Sequence, residues 1–153
     1  MRFWTWALEA YARPGAADHC LRLQDDFDQC VPYLLWAAWA AHEGRALDAG
    51  ALTAGADLSQ RWQTAAVAAL RQARRAMKPS VDGIDDAARD ALRVRVKALE
   101  LQAEQLLMET LESMAPERGG PALPLASALA AAVDAWPAKA PPDALNRLAH
   151  MLS

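Results

Sequence analysis

Five side chains could bind a metal ion or, for the thiols, attack an electrophile: His19, Cys20, Cys30, His42 and His150. A tetrahedral zinc site needs four converging ligands, and its usual signatures place them at short spacings such as CxxC or HExxH. None of these spacings occurs here. Cys30 and His42 lie about 18 Å apart along one helix at 1.5 Å rise per residue, so they cannot share an ion. His19 and Cys20 are neighbours and diverge on a helix. Cys30 also sits in an apolar run, where desolvation raises a thiol pKa and suppresses the reactive thiolate. There is no GxSxG elbow and no phosphate-binding glycine loop. The paired carboxylates Asp25 with Asp26 and Asp85 with Asp86 fall at helix starts, where capping and the helix dipole explain them. These residues predict a non-enzymatic protein with no cofactor and no metal.

Two other features could serve binding. Arg71, Arg74, Arg75 and Lys78 recur at i, i+3, i+4 and i+7, with no acid anywhere between residues 61 and 78. Such a stripe suits an acidic protein surface ahead of nucleic acid, although cations near a helix C-terminus also complement its dipole. Six tryptophans are the second feature. Trp4, Trp36, Trp39 and Trp62 fall on predicted core faces, where large rings fill the gaps of an alanine-rich bundle. They would also be the walls of a pocket for a flat or apolar small molecule. Trp6 and Trp136 lie off or at the edge of those stripes and are the better interface candidates.

The elements that must position these residues are helices. The chain has 37 alanines against six valines, one isoleucine and four threonines, a balance that favours an all-α fold. Cys30 to Ala41 is an unbroken apolar run, which predicts a central helix over about residues 28–42, with Pro32 in its first turn and Asp28 as cap. It is too short to cross a bilayer, which takes roughly 20 residues. An N-terminal helix over 3–12 aligns Trp4, Ala7, Leu8 and Tyr11, and a second over 17–26 aligns Cys20, Leu23 and Phe27. Residues 48–58 are helical in register despite Gly50 and Gly55. Ser59 then caps a helix over 60–78 with an inner face of Trp62, Ala66, Ala69, Ala73 and Met77.

One long helix is predicted over about residues 85–114, with no internal Gly or Pro. Leu92, Val96, Leu99, Ala103, Leu106 and Thr110 form a heptad-like seam, and Val94, Leu101 and Met108 form a second apolar side. Two apolar sides call for two partners, one of them a partner protein or a second subunit. Residues 116–124 read as a linker, followed by two short helices separated by a Pro-rich break. The organisation expected is a helical bundle domain over 1–115, with residues 116–153 packing on it or on a partner.

The formal charge of −3 gives no global attraction to nucleic acid or anionic membrane. The opening residues show no apolar segment of signal-peptide type, so the expected location is cytoplasmic, with both cysteines reduced.

Several stretches carry a resemblance. Trp4, Trp6, Ala7, Leu8, Tyr11, Arg13, Pro14 and Gly15 open it. Cys20, Leu21, Leu23 and Gln24 follow, then Trp62 with Leu70, Arg71, Arg74 and Arg75, and finally Lys97, Glu100, Leu101 and Glu104. Over about residues 2–114 this pattern resembles an all-helical family of bacterial, mostly proteobacterial, proteins catalogued as a domain of unknown function. Pro32 departs from the polar residue expected at its place. The resemblance implies no activity, but it points to Arg13, Gln24, Arg71 and Arg75 as polar residues that packing alone does not require. The expected function is protein–protein interaction or self-association, with the tryptophan-lined small-molecule binder as the alternative.

Overall fold

In the computed structural model, which describes residues 1–153, the apolar run folds as α3, Val31–His42. Every residue from Val31 to Ala41 is buried, as a helix apolar on all sides requires. Pro32 occupies the first turn, where its missing N–H costs nothing. Asp28 is not its cap. That residue adopts the left-handed conformation (φ 51°) and closes the preceding helix α2, Ala16–Phe27, a conformation that short polar side chains tolerate.

Helix α1, Phe3–Tyr11, lays Phe3, Trp6, Ala7 and Ala10 on the core and leaves Leu8 and Tyr11 exposed, which corrects the expected face. Both stripes have helical spacing. The one that wins carries two rings that meet α3, Phe3 on Trp39 with centroids 5.3 Å apart and Trp6 on His42 at 5.9 Å. Trp6 is therefore a core residue and not an edge one.

Helix α4, Ala49–Trp62, starts at Asp48, whose side chain accepts from the Ala51 N–H at 2.7 Å. Ser59 is buried within it and caps nothing. The same rod continues through a π-helical turn, Gln63–Val67, into α5, Ala68–Ala76. Gly55 is where α4 crosses α3: a Cβ there would lie 2.5 Å from Cζ3 of Trp36. The Tyr33 hydroxyl, 2.9 Å from Ala132 O and 3.2 Å from Leu52 O, ties α3 to its neighbours on two sides.

Helix α6, Asp86–Met114, is capped by Asp85, which accepts from the Ala88 N–H at 2.8 Å. Helices α7, Leu125–Ala135, and α8, Pro142–Leu152, follow; no strand is present. Leu129, Leu148 and Leu152 are fully buried and belong to one apolar cluster that begins at Phe3. Trp136 joins it, stacked on Tyr33 at 5.3 Å with its indole N–H on Asp28 O at 2.8 Å, so it too is buried and not an interface ring. The strap before α7 is held by the α3 end, with Gly119 N–H donating to Gly44 O at 3.0 Å and Leu123 N–H to Ala41 O at 2.8 Å. Gly44 has φ +66°, and a Cβ on it would run into the Gly120 carbonyl.

Candidate functional site

From Ala68 to Leu99 no residue is buried. This stretch, α5 with the turn 77–85 and the first half of α6, forms a two-helix arm joined to the body where α6 runs on past Glu100. Its seam is polar. Arg71 Nε donates to Glu100 Oε1 at 2.9 Å and Arg71 Nη2 to Glu104 Oε1 at 3.3 Å, while Arg74 Nε donates to Glu100 Oε2 at 2.7 Å. Arg93 Nε adds a bond to Arg74 O at 3.2 Å. Half of the basic stripe is thus neutralised within the chain, and Arg75 and Lys78 alone face solvent.

The π turn contributes to this arrangement. Its wider turn displaces the residues that follow it around the helix axis, and Ala69 and Ala73, expected inside, are exposed while Arg71 and Arg74 are partly buried. Just before it, the Trp62 indole N–H donates to Ala103 O at 2.8 Å, and Gln63 Nε2 lies 3.4 Å from Cys30 Sγ.

With its acids drawn inward, α6 is inside out along the arm. The residues it turns toward the seam and body are Arg89, Arg93, Val96, Glu100 and Ala103, all partly or fully buried. Exposed and turned away from the seam are two apolar stripes on opposite flanks, Leu92, Leu99 and Leu106 on one and Val94 and Leu101 on the other, with Ala87, Ala91, Ala98, Arg95 and Gln102 between them. Val94 is 68% exposed and Leu101 52%. The expected seam of Leu92, Leu99 and Leu106 therefore faces solvent, and of the second apolar set only Met108 is buried.

The four tryptophans do not share a pocket. Trp36 and Trp39 are fully buried packing residues, and Trp62 borders a shallow cleft with Leu58 and Leu106. Trp4 lines a cleft of about 150 Å³ with Leu8, Tyr11, Leu35 and Met108, with Gln24 and Glu104 as its polar lining. Leu101 and Glu104 continue that cleft into a groove with Lys97 and Arg74 at the base of the arm. Arg13 is elsewhere, its Nη1 donating to Met151 O at 3.2 Å and Ser153 O at 2.8 Å at the end of α8.

Electrostatics follow burial. Desolvation would raise the Glu100 carboxyl, but the hydrogen bonds and charges of Arg74 and Arg71 outweigh it and hold the group below its ordinary value. Desolvation raises Glu104, and the charge of Glu100 adds to it, against the opposing pull of Arg71 and, more weakly, Arg74. Tyr11 is pushed up to about 12, first by burial and then by the thiol of Cys20 and the charge of Glu104. Burial alone pushes Cys20 up to about 12 and, in the main, Cys30 up to about 11, so neither thiol is poised as a nucleophile. His19 Nε2 lies 2.7 Å from Ala144 O, and no three His, Cys, Asp or Glu side chains converge on a metal-sized site. No helix is long and apolar enough to cross a membrane.

Reading the charges alone misses Glu100 and Glu104 as partners of the stripe; they enter only through the resemblance. Their i, i+4 spacing on a helix that must fold back against Arg71 and Arg74 is the signal that could have found them.

An apolar helix ringed by others, with an inside-out helical arm, defines an all-helical bundle protein with an open apolar face. A family model described as "Protein of unknown function (DUF2390)" matches residues 2–111, and the chain belongs to this family. The match runs from α1 into the last turns of α6 and leaves α7 and α8 outside. No curated protein and no solved structure matches the chain.

Proposed function

We propose that this is a cytoplasmic, non-enzymatic protein-interaction module whose working surface is the outward side of α6 on the arm. The observation that carries the reading is the inverted amphipathicity of α6 between Ala87 and Leu106. A surface helix ordinarily turns its apolar stripe inward, and a contiguous exposed apolar strip rimmed by charge marks an interaction site. Covering the exposed halves of one stripe, Leu92, Leu99 and Leu106, would contribute about 3 kcal/mol, at ~2 kcal/mol for each fully buried side chain. That suits a helix-on-helix contact better than the capture of a small molecule.

The test is photo-crosslinking in the expressing cell. A photoreactive residue at Ala98, in the middle of the face, is expected to yield a discrete protein adduct, and one at Gln72, outward on α5, is not. Absence of any adduct from position 98 would remove this function.

A further inference from the structure

We propose that the cleft between the end of α3, the start of α4 and the start of α7 binds a small monocarboxylate with an apolar body, held by Arg45. This site lies away from the arm and does not depend on the interaction reading. The cleft measures about 290 Å³, and Ala37, Ala41, Leu47, Leu52, Leu123 and Ala128 give it apolar walls. That volume falls at the lower end of small-molecule sites, roughly 300–1,000 Å³. At about 30 Å³ for each water-sized group it holds roughly ten, which is the size of a medium-chain fatty acid.

Arg45 is the single ionisable residue of the lining, and no acid pairs with it. Its guanidinium carbon lies 5.1 Å from the centroid of the Trp39 ring, and Nη1 donates to Pro116 O at 2.7 Å. Nε is shut off from water and has no hydrogen-bond partner. A buried donor left in this way costs about 1–3 kcal/mol, and more when it is charged. The carboxylates nearest in the chain are used otherwise. Glu43 meets the N-terminal ammonium and His42, each at 3.4 Å, and Asp48 accepts from the Ala51 N–H. Glu117 follows the Pro116 carbonyl directly but makes no ion pair. A carboxylate laid across Nε and Nη2 takes the edge of the guanidinium that Pro116 leaves free, the fork geometry to which arginine is suited.

The start of α7 adds to the attraction. Pro124, at its cap position, supplies no side-chain hydrogen bond, and Pro124, Ser127 and Ala128 all line the cleft. The unpaired first-turn N–H groups give that end a partial positive charge. A cation would therefore meet like charge here, a neutral ligand would leave Arg45 without a counterion, and a second negative charge would have to lie on the apolar walls. Every lining residue from Leu123 onward falls outside residues 2–111, so the span that matches the family cannot form this site alone.

Titration with octanoate below its micellar range, followed by two-dimensional 1H–15N NMR, reads affinity and place together. Octanoate is expected to give saturable shifts at the Arg45 Nε–H and the Ser127 and Ala128 amides. Octylammonium should give none there, and 1-octanol should bind about tenfold more weakly or less. Arg45→Met should weaken octanoate by about tenfold or more, and Arg45→Lys, which keeps the charge without the fork, should fall between. Ala128→Leu fills the cleft from a partly exposed position without removing Arg45, and it should weaken octanoate to a similar degree with unchanged circular dichroism. That variant decides the matter even where loss of Arg45 frees the strap. Absence of shifts at these residues at millimolar octanoate, or an affinity that Ala128→Leu leaves unchanged, would overturn the site. Equal affinity for octanol and octanoate would overturn the carboxylate as its ligand.

Discussion

Arg71 Nε meets Glu100 Oε1 at 2.9 Å, and the residues on either side of Glu100, Leu99 and Leu101, both face solvent. Successive residues on an α-helix are about 100° apart, so a helix that turns Glu100 inward cannot also bury both neighbours. The pairing of Glu100 with Arg71 and Arg74 therefore sets which side of α6 is left for a partner.

Replacing Glu100 with Gln should loosen the arm and not the body. Two guanidinium groups would lose their shared carboxylate. Breaking a fully buried pair costs roughly 3–5 kcal/mol, and because both arginines still reach water, about 1–3 kcal/mol is expected here. Hydrogen exchange should accelerate across residues 68–99 while α3 keeps its protection. Uniform loss across the chain, or no change in the arm, would contradict this.

The arm should also respond to acid in a defined order. Glu104 titrates above the ordinary carboxylate value of 4.5 and Glu100 below it. Protonating Glu104 as the pH falls relieves its desolvation, so that step should not open the arm. A depressed group stabilises the fold above its unfolded pKa, and that stability is lost as the pH falls through its folded pKa. Opening driven by Glu100 is thus expected only below the ordinary value of 4.5, and the Glu100→Gln variant should lose that step. Exchange rates of α5 amides, followed from near neutrality down into the acid range and corrected for intrinsic rates, would show it.

Gly55→Ala should destabilise although alanine is the better helix former by about 1 kcal/mol. The new methyl would lie 2.5 Å from the fully buried Trp36 ring, which has no room to retreat. Overpacking of this kind costs about 1–3 kcal/mol. A net loss of roughly 1–2 kcal/mol in urea unfolding follows, and a stabilised variant would mean that the crossing of α3 and α4 is looser than described.

At Gly44, alanine faces both a left-handed backbone and the Gly120 carbonyl, which the new methyl would strike. Gly44→Ala should release the strap, which is readable as new proteolytic cleavage within residues 116–122 at unchanged helix content. Protection equal to wild type would show that the strap is held by other contacts.

Cys20 and Cys30 should resist alkylation at mildly alkaline pH in the native protein, because burial holds their thiols at about 12 and about 11. Both should react at once in denaturant. Rapid native labelling of either would show that the α2–α3 region opens readily.

The all-helical class, the central helix, the long α6 and the family were legible in the residues, because alanine content, an apolar run and an unbroken helical period are local signals. Faces were harder. In α1 two stripes had equal helical spacing, and only the meeting of Phe3 with Trp39 and Trp6 with His42 chose between them. In α5 the π turn displaced the expected face, and in α6 two carboxylates and two arginines from another helix settled which side turns in. Periodicity read along one helix states that a stripe exists. Which stripe is buried depends on what the facing helix offers it, and that is decided by contacts between residues far apart in the chain.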